Sequence, residues 1–453
     1  MNRITPAKPK RRRTAIVAAL AVSGVLVAVP HLASAQDTPA DEVFVTAGAP
    51  SRTALLRDQL SAAANETYAE AHKAPDTGYA GIVMTDRGDG YTLHWKGDVP
   101  QPVAGLIETQ RRAGLQVSVE ASRYTFAELD RQARTIIESR ADVAGAQITG
   151  AGASSDGNSL NITVAPRTVG QMDTGAQEIN GSLPESLTGG IPVKLAERAI
   201  TSAISAPSCD DGACQRRAST ASFFGGSVIS TTTSKGAGTC STAFSVEDPH
   251  TRKQYMLTAG HCGVIGSDVR TWNKSESIGE LIDVHDDIDT GLIELSRVGG
   301  RSALVAIEYG SDRAGATSTK VSAARHSFVG EQLCADGALA GEICGGKVIS
   351  VNQRVYTNHG VIIANELLQV ADVDMAGQGD SGGPVFAHVA DGKVSPRGIL
   401  ASTDKGRFCI NPLPGSGLRS DCSSRVYFTD VYDAMQQHIN ARKDIDALNI
   451  TSG

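Results

Sequence analysis

No cysteine occurs in the first 208 residues, so any domain there must hold together without covalent staples. All eight cysteines lie downstream, which suits an oxidising destination. Their number alone does not fix their pairing. A surplus of positive charge is also missing. The formal net charge is -7, and Met1 to Ala35 carries six Lys/Arg with no Asp/Glu, which leaves 36 basic against 49 acidic residues, a formal -13, in the remainder. So acidic a chain argues against nucleic acid as a partner. Apolar runs are scarce too: beyond Ala15 to Val29, no stretch is long enough to cross a membrane. Cys209 and Cys214 form a Cys-x4-Cys pair, a loose half of a metal site, but no second His/Cys cluster completes it. No metal and no cofactor is expected.

At 453 residues and 41% hydrophobic content, the chain is long enough for two or three units with their own cores. Residues 1–35 read as a cleaved signal peptide: Lys10-Arg11-Arg12-Arg13, the apolar run, then Ala33-Ser34-Ala35. The alternative is a retained anchor, for which about 15 residues is short. The expectation is therefore a secreted protein with no membrane attachment after cleavage. Thr53 to Ala71 suits a helix with Leu55, Leu56 and Leu60 on one face. From about residue 79 to 165, helices and strands interleave. Tyr91 to Trp95, Leu115 to Val119 and Leu160 to Val164 read as strands, and Val103 to Ala113 as a helix closed by Gly114. Thr125 and Glu128 form a capping box ahead of Phe126, Leu129, Ala133, Ile136 and Ile137, so a small α+β module is expected. Gln171 to Gln215, rich in Gly, Ser, Pro and Ala, reads as a linker with a helix at Val193 to Ala203. From Phe224 onward, short Thr/Ser/Val-rich strands separated by turns predict an all-β barrel or sandwich, with helical patterning returning at Val431 to Ile439.

Chemistry concentrates in three segments. Gly379-Asp380-Ser381-Gly382-Gly383-Pro384 sets one hydroxyl among small neighbours that let a carbonyl approach the backbone. A serine hydroxyl needs an adjacent base to become a nucleophile at neutral pH. Thr258-Ala259-Gly260-His261-Cys262 offers that base about 120 residues upstream, and Asp289-Thr290-Gly291-Leu292-Ile293 offers an acid to orient it.

In this order, and over roughly residues 222 to 440, the three segments resemble the chymotrypsin-like serine proteases, the bacterial streptogrisin and alpha-lytic branch most closely. The resemblance implies two six-stranded antiparallel β-barrels with a C-terminal helix as a protease domain over residues 206–453. A pro-region over 36–205 would precede it and assist folding or block the site. It implies that Ser381 attacks a peptide carbonyl, that His261 accepts its proton, and that Asp289 fixes the imidazole. The N–H groups of Gly379 and Ser381 would form the oxyanion hole, while Asp380 would support the loop without joining the triad. Activity should then fall as pH drops through roughly 6 to 7. Asp286 and Asp287 compete with Asp289 for the acid, but only Asp289 has the small and aliphatic residues the family pattern places after it. Likeness to the family pairs Cys240 with Cys262 and Cys334 with Cys344, leaving Cys409 for Cys422; Cys209 and Cys214 are close enough to bridge each other.

The chain departs from that family where Asp374-Met375-Ala376-Gly377-Gln378 lacks a cysteine before the serine motif, so the bridge to the pocket wall is absent. Met375, Ala401 and Thr403 are the expected pocket residues, which suit an apolar or small side chain before the cleaved bond. The enzyme is expected to act as a monomer on protein or peptide substrates. Candidate cuts for maturation are Arg216-Arg217 and the segment near Ser205. Two other readings compete. The Gly-x-Ser-x-Gly pattern also fits an α/β-hydrolase esterase, yet only His388 and His438 follow Ser381. A silent binding protein on a protease scaffold would usually lack a triad member.

Overall fold

A computed structural model of the chain describes residues 52–74, 77–143, 145–165, 183–198, 202–203, 223–233, 236–272, 276–296, 301–307, 317–369, 373–404 and 422–452. The expected signal peptide, both candidate cuts, and Cys209, Cys214 and Cys409 lie outside these residues. None of the helices among the described residues is long and apolar enough to cross a membrane.

The N-terminal part alternates helix and strand: α1 (Arg52–Ala71), β1 (Tyr79–Met84), β2 (Gly90–Trp95), α2 (Gln101–Arg112), β3 (Gln116–Ala121), α3 (Phe126–Ser139), β4 (Asp142–Val143), β5 (Ala146–Ala153), β6 (Leu160–Val164), α4 (Glu185–Thr188), β7 (Val193–Glu197) and β8 (Ser202–Ala203). In α1, Leu60 is buried as expected but Leu55 faces out. The capping box of α3 forms in both directions, between Thr125 and Glu128. Its Leu129, Ala133, Ile136 and Ile137 then pack on β5 and β6. Val193 to Ala203 is not a helix. The segment Val-Lys-Leu-Ala-Glu alternates as well for a strand, and the free edge of β6 decides the matter by pairing with it in parallel, Leu160 opposite Val193. Residues 183–198 thus belong to the module rather than to a linker.

The remainder is mostly β: β9 (Phe223–Gly225), β10 (Val228–Thr233), β11 (Gly236–Ser241), β12 (Ser245–Glu247), β13 (Gln254–Thr258), β14 (Asp268–Thr271), β15 (Ser277–His285), β16 (Thr290–Leu295), β17 (Arg301–Ile307), β18 (Thr317–Lys320), β19 (Gln332–Gly337), β20 (Gly341–Thr357), β21 (Gly360–Leu368), β22 (Pro384–His388), β23 (Val394–Thr403), β24 (Arg425–Asp430) and β25 (Asn449–Ile450), with α5 (Val431–Ala441) near the end. One sheet runs β11-β10-β14-β15-β16-β13-β12-β25 as an open path of eight strands. In the second, β19-β22-β23-β24-β21-β20 forms a circuit, because β20 pairs back onto β19. A shared core joins the two: Phe244, Tyr255 and Leu292 of the first meet Phe386 and Ile399 of the second, with Val431, Ala434 and Met435 of α5. Asp430 caps α5, its side chain accepting from Tyr432 N at 2.9 Å.

The N-terminal module docks on the second sheet. β5 adds to the outer edge of β20, Val355 opposite Gly150, so the sheet continues through β5, β6 and β7. Arg354 pairs with Asp130 of α3, and Tyr356 Oη donates to Ile137 O at 3.0 Å. At the other contact α1 meets a buried cation. Arg397 has no exposed surface; its Nε and Nη2 donate to Glu331 Oε1 at 3.1 and 2.8 Å, Nη2 to Ser61 Oγ of α1 at 2.8 Å, and Nη1 to Ser395 Oγ at 2.6 Å. Removing one partner of such a pair strands the other charge out of water, at a cost of about 3–5 kcal/mol. Arg397→Ala should therefore lower stability by about that amount in denaturant titration. Arg397→Met with Glu331→Leu should recover most of it. A double variant no better than the single one would show that the charges are not coupled.

Candidate active site

Three loops converge where the two sheets meet. β13 is followed by a short 3-10 turn, Gly260–Cys262, which carries His261, and the Cys240–Cys262 disulfide ties that turn to β11. The β15–β16 turn ends at Asp289, whose backbone takes φ +53, a left-handed conformation that aspartate tolerates better than most residues. Ser381 lies in the loop before β22. Gly260 has Thr290 O only 3.1 Å from where a Cβ would stand, so its lack of a side chain lets the histidine turn reach the aspartate turn.

The geometry is that of a relay. His261 Nε2 lies 2.7 Å from Ser381 Oγ. Its Nδ1 lies 2.8 and 3.0 Å from the two carboxylate oxygens of Asp289, and the backbone N–H of His261 donates to Asp289 Oδ1 at 2.9 Å. A carboxylate held at two points aims the imidazole, so the Nδ1 proton stays on its side and Nε2 keeps a lone pair for the hydroxyl. All three side chains are buried. Asp287, one of the two competitors, instead takes a 3.3 Å hydrogen bond from Gln437 of α5.

The serine loop is held by Asp380, whose supporting part the motif had implied, and by Ser241, which no motif announces. Asp380 is fully buried; its Oδ1 accepts from Leu339 N and Ala340 N at 2.8 and 2.7 Å, and its Oδ2 from Gly377 N at 2.8 Å. Its role in shaping the loop is thus visible as three backbone bonds. Ser241 clamps the opposite side: its N–H donates to Ser381 O at 2.7 Å, its Oγ to Gly379 O at 2.9 Å, and its Oγ accepts from Ala338 N at 3.0 Å. Gly379 and Gly382 take φ +94 and +83. A Cβ on Gly382 would stand 2.3 Å from both Ser241 O and Thr258 Oγ1. Gly382→Ala is expected to cost about 1–2 kcal/mol from the left-handed backbone alone. The clash should also displace Ser381, so activity should fall further than the loss of folded protein measured by circular dichroism.

His359, unremarked in the sequence, sits at the tip of the β20–β21 hairpin and stacks its ring on His261, centroids 5.5 Å apart and planes at 25°. The expected pocket residues fall out differently. Met375 is fully buried and packs with Leu333, Val348, Leu367 and Val426, so its side chain is core rather than wall. Ala401 is likewise buried, beside Val355, Ile362 and Tyr427. Thr403 lies on the strand edge where β8 pairs antiparallel: Thr403 opposite Ser202, and Ser402 opposite Ala203.

The structure pairs Cys240 with Cys262 and Cys334 with Cys344, and Cys422 is also disulfide-bonded. Two of three close groups of metal-type donors among the described residues include these bridged sulfurs and so have no thiolate to offer. The third is Asp283, His285 and His438. His438 there is buried at the base of α5, its Nδ1 2.9 Å from Asp283 Oδ2 and its Nε2 3.2 Å from Thr290 Oγ1, which makes it a fastener of the helix. Burial pushes its pKa down despite Asp283. A separate cleft lined by Tyr68, Tyr79, Phe126, His326 and Asp430 lies between the N-terminal module and the mostly β remainder and contains none of the relay.

No protein-family model matches the chain, and no curated protein matches it in sequence. Solved structures resemble part of it. Thermobifida fusca Protease A is 22% identical over 51% of this chain and 98% of its own, at a TM-score of 0.36. Nocardiopsis Protease is 20% identical over 51% of this chain and 98% of its own, also at 0.36. A glutamic acid specific serine protease is 20% identical over 51% of this chain and all of its own, at 0.38. These likenesses are too distant to carry any residue's role.

Proposed function

We propose that this chain is a secreted serine endopeptidase made as a pro-enzyme. The observation that carries the reading is the 2.7 Å approach of His261 Nε2 to Ser381 Oγ, with Asp289 on the other ring nitrogen. Ser381 Oγ attacks a peptide carbonyl while His261 takes its proton. The tetrahedral oxygen is met by the N–H groups of Gly379 and Ser381; His261 then protonates the departing amine, and water repeats the cycle on the acyl-enzyme. Neither metal nor cofactor takes part.

The N-terminal module, within residues 36–205, serves as inhibitor and folding aid for the protease, residues 206–453. Two features support this. β8 lies on β23 as an extended substrate strand would, and β5 extends the protease sheet. The candidate cut near Ser205 lies two residues beyond Ala203 and suits that strand better than Arg216-Arg217 does. Maturation releases the module into the medium with the enzyme.

A fluorophosphonate probe tests the reading. It should label the secreted product on Ser381, and Ser381→Ala and His261→Ala should each abolish labelling. An esterase would also be labelled, so casein cleavage must accompany it. A chain that folds but takes no label would sink the proposal and leave a binding protein in its place.

A further inference from the structure

We propose that Glu366 forms the floor of a site for a cationic side chain, guanidinium or ammonium, and that Arg198 of the N-terminal module occupies it as a stand-in for substrate. Its use in substrate choice rests on the peptidase reading; its existence does not.

The site lies against the strand that receives β8. β24 pairs with β23 at Ser402 opposite Tyr427 and Thr403 opposite Val426, the same two β23 residues whose other edge takes Ala203 and Ser202. Strand alternation sends Val426 and Phe428 into the core with Leu333 and Leu367, so Arg425 and Tyr427 face the other way. On that face Arg425 Nη1 pairs with Glu366 Oε1, Arg425 Nε lies 3.0 Å from Asp404 Oδ2, and Tyr427 Oη donates to Asp404 Oδ1 at 3.0 Å. Glu366 is nearly waterless, at 2% exposure, and also accepts from Ser350 Oγ at 2.9 Å.

The fourth charge comes from elsewhere in the chain. Arg198 Nη1 pairs with the same Glu366 Oε1, while its backbone belongs to the module, N–H donating to Val164 O at 2.7 Å and O accepting from Thr149 Oγ1 at 3.1 Å. With Arg198 in place, two guanidiniums face two carboxylates. Without it, one guanidinium faces two carboxylates in a site with little water, and an unbalanced charge there is costly. Burial opposes ionisation of Glu366, and the two arginines outweigh it and hold its carboxyl below the ordinary range. Burial also pushes Asp404 upward, against the pull of Arg425. Departure of the module therefore leaves a guanidinium-shaped vacancy beside a buried carboxylate, next to the strand that binds extended peptide. A substrate arginine or lysine on the N-terminal side of the cleaved bond restores the balance. Since Arg198 precedes Ala203 by five positions, the site is separate from the small or apolar preference expected at the cleaved bond itself.

Chemical rescue in the full chain tests the inference without calling on activity. In a Ser381→Ala background, which prevents self-cleavage, acetyl-arginine amide should bind the Arg198→Ala chain at least tenfold more tightly than the chain with Arg198 intact, by calorimetry. Acetyl-citrulline amide, neutral but of the same shape, should show no such gain. Glu366→Gln, which keeps the Ser350 bond, should erase the gain. If Arg198→Ala unfolds, Arg198→Gln provides the same comparison with a neutral donor in place. A folded variant that takes arginine no better than citrulline, or a gain that survives Glu366→Gln, would overturn the site. Labelling of Ser381 in the parent chain reports the peptidase reading separately, so either can fail alone.

Discussion

Alanine at Ser381 should lower kcat on a peptide substrate by about a millionfold, alanine at His261 by about the same, and both changes together by no more than the worse single one. The reason is the single hydrogen bond they share. With Nε2 and Oγ 2.7 Å apart, neither group contributes to attack without the other, so removing either removes the whole nucleophile. On the proposed mechanism, what should survive is the acceleration due to the Gly379 and Ser381 backbone groups and to substrate binding, roughly 10³ to 10⁴ over water. Single-turnover rates for the two single variants and the double variant give the test. Losses that add on a logarithmic scale would mean the two side chains act in separate steps, and the relay would be the wrong description.

The residues most legible in the sequence are those whose signal is local. His261, Asp289 and Ser381 each sit in a short run that fixes their backbone, and the structure brings all three within hydrogen-bond reach. The capping box at Thr125 was readable for the same reason, since a cap is written within four residues, whereas α5 was readable from its helical patterning and its Asp430 cap was not. Contacts made across the fold were not. Val193 to Ala203 carries enough apolar residues for a helix, and only the edge of β6, about 30 residues upstream, makes part of it a strand. Ser241 is one hydroxyl among many until the serine loop folds onto it. Arg198, Glu366 and Arg425 are separated by 168 and 59 positions, and no spacing rule links them. Met375 aligned with a pocket position, yet packing against Leu367 and Val348 turned it into core. What a residue borders is a tertiary fact, and a motif predicts it only where the motif also fixes the surrounding chain.

Asparagine at Asp289 should reduce kcat by about 10⁴ while leaving KM and thermal stability close to those of the parent. The left-handed backbone at this position, φ +53, suits asparagine as well as it suits aspartate, so the turn should survive. The amide oxygen can still accept from the backbone N–H of His261, which now donates to Oδ1 at 2.9 Å. That choice points the amide NH2 at Nδ1, where a carboxylate oxygen now lies at 2.8 Å. An N–H facing Nδ1 demands a lone pair there, which moves the ring proton to Nε2. The histidine then presents a donor to Ser381 Oγ where the reaction needs an acceptor. The defect is one of tautomer rather than position, so substrate binding should be spared, and alanine at the same site, which frees the ring to rotate, should disturb KM as well. A loss below tenfold in the asparagine variant would show that Asp289 does not set the imidazole's proton, and the acid would have to be sought elsewhere in the β15–β16 turn.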